Sequence, residues 1–128
     1  MTVRGLRGAT VAAADQPETI LAATKELLEV ILDANPSLRL DDIASVLFTV
    51  TEDLRSVYPA QAARLMGWQL VPLMCAQEIP VHGSLPRCIR VLIHWNTILP
   101  PEAVRHVYLH DAASLRTDFA GGQTSQRR

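Results

Sequence analysis

Only one stretch of this chain carries a helical period over several turns, and most of the apolar sequence after it is spaced for strands. In "DQPETILAATKELLEVILDANP", Ile20, Thr24, Leu27, Leu28 and Ile31 recur at the spacing that gathers them on one helix face. Asp15 and Glu18 have capping-box spacing, Pro17 suits a first turn, and Pro36 stops the run. A lone amphipathic helix must bury its stripe against something else. The period-two segments supply a sheet, so the chain is predicted to be α+β: a mixed β-sheet packed with one long and several short helices.

The strand segments raise a question of charge. "RCIRVLIHW" puts Ile89, Val91, Ile93 and Trp95 on one face and Cys88, Arg90, Leu92 and His94 on the other. A guanidinium amid so apolar a run costs several kcal/mol to bury unless it is paired, so that face meets water or an anion. "VRGLRGATV" repeats the pattern, with Arg7 on a face shared by Val3, Gly5, Ala9 and Val11. "DDIASVLFTVT" reads as a helical turn entering a β-branched strand. "YPAQAARLMG" is a short helix between Pro59 and Gly67, with Gln61 and Arg64 on one face. "WQLVPLMC" and "RHVYLHD" are further strands, and Pro72 makes the first an edge or an interrupted strand. "LPPEAV" is a turn, "AASLR" a last helical turn, and "GGQTSQRR" a polar tail. One domain over 1–118 and a tail over 119–128 follow.

Composition removes several function classes. A net charge of −1 gives no general attraction to nucleic acid or anionic lipid. No apolar run approaches the ~20 residues of a membrane span. Cys75 and Cys88 lack C-x-x-C spacing, and the four histidines show no zinc pattern, so no metal site is expected. No nucleophile elbow, P-loop or dinucleotide glycine fingerprint is present. The cysteine usage, with no signal-peptide core in "MTVRGLRG", points to a cytoplasmic protein. Hydrophobic residues reach 48%, a surplus for a small domain that a subunit interface would cover.

Four arginines stand out by context: Arg7 and Arg90 within strands, Arg64 on the short helix, and Arg116 after Leu115. A single such arginine is ordinarily a snorkelling or ion-paired side chain. Two in strand interiors favour an anionic ligand, a polycarboxylate, if their faces converge, because guanidinium forks match carboxylates. Whether they converge depends on strand register, which the local pattern leaves open. Glu78 follows Cys75 by three residues, so in a straight strand the two face opposite ways. Taken alone they read as a loop carboxylate and a small buried hydrophobe.

"RGLRGAT", "YPAQAAR", "GWQLVPLMCAQEIPVHGSLPRCIRVLIHW" and "RHVYLHDAASLR" together resemble the AroH-type class of chorismate mutase, in order and in register from about residue 3 to 118. The resemblance implies a homotrimeric pseudo-α/β-barrel with active sites in clefts between subunits. It implies rearrangement of chorismate to prephenate, on the way to phenylalanine and tyrosine, without cofactor or metal. The family's functional positions fall on Arg7, Tyr58, Arg64, Cys75, Glu78, Arg90, Tyr108 and Arg116, with Leu115 lining the pocket. In that scheme Arg90 donates to the ether oxygen and to a carboxylate, and Arg7 holds the side-chain carboxylate. Tyr108 adds a hydrogen bond or packing, Glu78 accepts from the ring hydroxyl, and Arg64 and Arg116 guide and cover the dianion.

The chain departs from the family at several places. Tyr58 stands where a Phe is frequent, Gln61 where a Lys is common, Met74 where a Thr commonly precedes the cysteine, and "LRTDF" replaces "LRPDL". Gln61 and Met74 are therefore not counted among the catalytic residues. Two rivals share the arginine argument: a trimeric imine-deaminase-like enzyme, whose usual signature is not evident here, and a non-catalytic protein that binds a carboxylate metabolite.

Overall fold

The apolar face of the arginine-bearing strand decides the architecture. In the computed structural model, which describes residues 1–119, β4 (Cys88–Thr97) is the central strand of a five-stranded mixed sheet. Its neighbours are β1 (Thr2–Val11) and β2 (Ile43–Val50), both antiparallel to it. β3 (Leu73–Gln77) runs parallel to β2 at one edge, and β5 (Val107–Tyr108) runs parallel to β1 at the other. Ile89, Val91, Ile93 and Trp95 are all buried, whereas Arg90, Leu92 and His94 are only half-buried. Period-two alternation thus separates a core face from an open one.

Helix α1 (Pro17–Ala34) buries its stripe of Ile20, Thr24, Leu27, Leu28 and Ile31, with Leu27, Leu28 and Ile31 clustered with Leu6, Phe48, Val91 and Ile93, and Ile20 with Ala12, Leu54 and Ile89. The short α2 (Ala60–Leu65) joins the same layer through Ala60 and Ala63. Gly8 lets α1 come this close: a Cβ there would lie 2.9 Å from Ile31 Cδ1 and 3.1 Å from Val91 Cγ1. Gly67, at φ 93°, follows α2 in the left-handed conformation that ends many helices.

Three local expectations are revised. Asp15 and Glu18 form no capping box: Gln16 is the N-cap and makes no side-chain cap hydrogen bond. Asp15 Oδ1 instead accepts from the Arg55 and Ser56 N–H groups and the Ser56 hydroxyl, at 2.7–3.0 Å. Several donors brought by the β2–α2 connection outcompete one local amide, and Pro17 has no N–H to offer. "RHVYLHD" yields only two strand residues, because His106 Nδ1 accepts the Arg7 N–H (2.9 Å) in place of a backbone carbonyl. His110 then leaves the strand at φ 52°. The last helical turn is longer than expected, a 3-10 segment over His110–Phe119. The β3 strand begins only after Pro72 and is an edge strand, as that proline demands. From residue 120 onward, the tail expected at 119–128 lies outside the described residues.

Candidate active site

The register brings the two strand arginines together. Arg7 is paired with Leu92 and Ala9 with Arg90, so the guanidinium-bearing residues sit on adjacent strands, two positions apart, on the open face. Across β4 on its other side, Thr49 of β2 is the partner of Arg90. Ala9 is also paired with Tyr108 of β5, and the Arg7 guanidinium carbon lies 5.9 Å from the Tyr108 ring centroid, at the outer range of a cation–π contact.

Glu78 reaches this face by a short extension of β3. Its N–H donates to the Val50 carbonyl (2.9 Å), and its Oε2 accepts the Thr49 hydroxyl. Arg90 Nε stands 3.9 Å from the same Oε2, with the two side chains 35% and 31% exposed. At that separation the pair attracts electrostatically but is not hydrogen-bonded. Arg7, Thr49, Glu78, Arg90 and Tyr108 wall one concavity of about 220 Å³. A second, of about 650 Å³, shares Glu78 and Arg90 and is bounded by the 79–86 loop, Cys88 and Leu115. Arg116 is the next residue, half-buried, and walls neither.

The start of β4 is pinned from behind. Arg87 adopts φ 49°, in the left-handed region that most side chains avoid. Its N–H donates to the Asp53 carboxylate (3.0 and 3.1 Å) and its Nε to the Ala12 carbonyl (2.9 Å). Burial raises the pKa of the Cys88 thiol above its ordinary value, while the neighbouring Arg90 pulls it the other way. Asp53 and Thr49 bore no signal in the sequence; both are recognisable only through their partners.

Tyr58, Arg64 and Cys75 do not join this cluster within one chain. Cys75 is paired with Phe48, on the core side of β3, while Glu78 is on the open side, as three-residue spacing requires of an extended chain. With Tyr58, which is 75% exposed, Cys75 walls a separate groove of about 530 Å³. Desolvation raises the Cys75 pKa, partly offset by the Ala60 N–H and the Arg64 charge. Arg64 itself is exposed on α2. Of the sequence-predicted residues, Arg7, Glu78, Arg90, Tyr108 and Leu115 therefore meet around two joined concavities, and Tyr58, Arg64 and Cys75 form a second group.

A model of the family described as chorismate mutase type I matches residues 3–119. The chain belongs to this family. Over 121 residues it is 54% identical to the chorismate mutase AroH of Thermus thermophilus, covering 94% of this chain and 99% of that protein. It is 45% identical to the chorismate mutase AroH of Bacillus subtilis, covering 94% of each. Among solved structures, a chorismate mutase from Clostridium thermocellum superposes with a TM-score of 0.83 at 45% identity, over 86% of this chain and 97% of that one. The mixed sheet with its helical layer on one face is thus a member of the chorismate mutase fold. No helix among the described residues is long and apolar enough to cross a membrane.

Proposed function

We propose that this chain isomerises chorismate to prephenate in aromatic amino-acid biosynthesis. The observation that carries the proposal is the meeting of Arg7, Arg90, Glu78 and Tyr108 in one concavity of a chain of this family. Chorismate bears two carboxylates, a ring hydroxyl and an enolpyruvyl ether. In its rearrangement the ether C–O bond breaks while a C–C bond forms, and no proton is transferred. Holding the compact conformer and stabilising the charge that develops are what remain for the protein to do.

Arg90 donates to the ether oxygen as negative charge builds there, and to a carboxylate. Arg7 holds the side-chain carboxylate beside Tyr108. Glu78 accepts from the ring hydroxyl and balances positive character on the ring. Leu115 covers the apolar side, and Arg116 adds positive charge near the mouth.

The site is completed by assembly into a homotrimer, a pseudo-α/β-barrel in which Tyr58, Arg64 and Cys75 of one protomer close over the arginine face of the next. Two features support this: the second group lies apart from the first within one chain, and large apolar side chains are left in the open. Leu70 and Ile98 are 95% and 85% exposed. The free cysteines, the half-buried Cys75 and the buried Cys88, suit a cytoplasmic enzyme.

An ultraviolet assay of chorismate loss, with acid conversion of the product to phenylpyruvate, tests the activity. Turnover by the purified protein is the expected result. Binding without turnover would instead mark a carboxylate-binding protein. Light scattering is expected to give three times the 14.1 kDa chain mass. An active monomer would exclude the shared site.

A further inference from the structure

The space between Glu78 and Arg90 needs an explanation. A carboxylate and a guanidinium on one sheet face, each about two-thirds buried, gain most by closing into a two-pronged hydrogen-bonded pair. They do not close: the shortest approach is Arg90 Nε to Glu78 Oε2, at 3.9 Å. The oxygen facing Arg90 is the one that accepts the Thr49 hydroxyl, and Glu78 is tethered a second time by its N–H on the Val50 carbonyl. Thr49 stands directly across from Arg90 in the β2–β4 register, so one residue sits between the acid and the base and holds the acid.

We infer that Thr49 is a positioning residue: its hydroxyl holds the Glu78 carboxylate off Arg90 and so keeps the guanidinium fork open for an anionic substrate. The inference rests on the proposed roles of Glu78 and Arg90. Had the two ions closed on each other, each would neutralise the other, and a substrate carboxylate or ether oxygen would have to displace Glu78 before reaching Arg90. Thr49 supplies the competing donor, and the β-branched side chain leaves it few rotamers on a central strand.

Thr49→Val keeps the branch and the shape and deletes only the donor. Glu78 then closes on Arg90, so KM rises and kcat falls. The combined loss in kcat/KM is about ten- to hundredfold, the range associated with one hydrogen bond to a charged group. Thr49→Ser restores the donor and recovers most of the activity, while all three proteins melt within a few degrees of one another.

A cycle with Glu78→Ala separates this role from a structural one. If Thr49 acts through Glu78, Thr49→Val costs no more than about twofold once the carboxylate is gone. Losses that multiply in the double variant would overturn the inference, as would Thr49→Val with wild-type kinetics beside a crippled Glu78→Ala. Full activity in Glu78→Ala itself would remove the role proposed for Glu78, and Thr49's with it, a result that no behaviour of Thr49→Val alone can mimic.

Discussion

The concavity around Arg90 and the groove around Cys75 are built in opposite ways from the same sheet. The first is set on the open face of β1, β2 and β4, where Arg7, Thr49 and Arg90 lie on strands with a neighbour on each side, and Tyr108 of the edge strand β5 and Glu78 just past β3 join it from the two rims. The second hangs on the edge strand β3 and on the connection before α2, with Tyr58 and Arg64 exposed. Central strands fix a side chain through two neighbours, whereas an edge strand and a loop fix it through one or none. The contrast is one of anchoring: the two strand arginines are held at the centre of the sheet, and the Tyr58, Arg64 and Cys75 group lies at its rim.

Replacing Arg90 should give the largest effect and test the central half directly. Citrulline at this position keeps nearly the shape and hydrogen-bonding edge of arginine but has no charge. kcat is expected to fall by at least about 10²–10³-fold, the cost of losing a preorganised donor, with fold and oligomeric state unchanged. Near-normal turnover would show that shape, not charge, acts there. Arg90→Lys, which keeps charge but loses the planar fork, is expected to be badly impaired as well.

The division between the halves is itself breakable. Arg64→Ala and Arg90→Ala subunits, each feeble alone, are mixed by co-expression. If each site draws its two halves from different chains, about a quarter of the sites in random trimers carry both arginines, and activity returns. Activity no higher than the sum of the two parents would place both halves in one chain and end the comparison.

Gly8→Ala probes the seat of the central half. The added methyl meets Ile31 Cδ1 and Val91 Cγ1 within 3.1 Å, so the end of the Ile31 side chain must shift and the packing between α1 and the strand that carries Arg7 is disturbed. Overpacking of this kind costs about 1–3 kcal/mol, to be read as a lower denaturant midpoint. An unchanged midpoint would mean that the helix layer has slack and that preorganisation comes from the strands alone.

The smallest effect is expected at the rim. Asp15 receives the Arg55 and Ser56 amides just ahead of Tyr58, and its pKa is lowered, first by the Ser56 hydroxyl and then by the Arg55 N–H. A carboxylate with a depressed folded-state pKa adds stability above its unfolded value, about 3.9, and loses it as pH falls through the lower folded value. Asp15→Asn is therefore expected to be less stable than the parent at neutral pH and equal to it in strong acid. A difference that persists undiminished in acid would show that the carboxylate charge is not what holds this connection.

Much of this arrangement is local and was legible in the residue order. The buried stripe of α1 follows from a 3.6-residue period, and the isolation of Arg90 from Ile89 and Val91 follows from a two-residue one. The same parity separates Cys75 from Glu78 before any partner is known. The motif blocks carried the family and hence the residues worth watching.

Tertiary structure decided what no period encodes. Arg7 and Arg90 converge because β1 and β4, distant in sequence, pair in a register that sets Ala9 against Arg90, and packing of the core face selects that register over its neighbours. Asp15 serves a remote connection rather than its own helix because the Arg55 and Ser56 donors reach it only in the folded chain. Thr49, an ordinary β-branched strand residue in the sequence, acquires its partner only when β2 lies between the end of β3 and Arg90. Local chemistry sets which way a side chain faces; only long-range pairing sets what it faces.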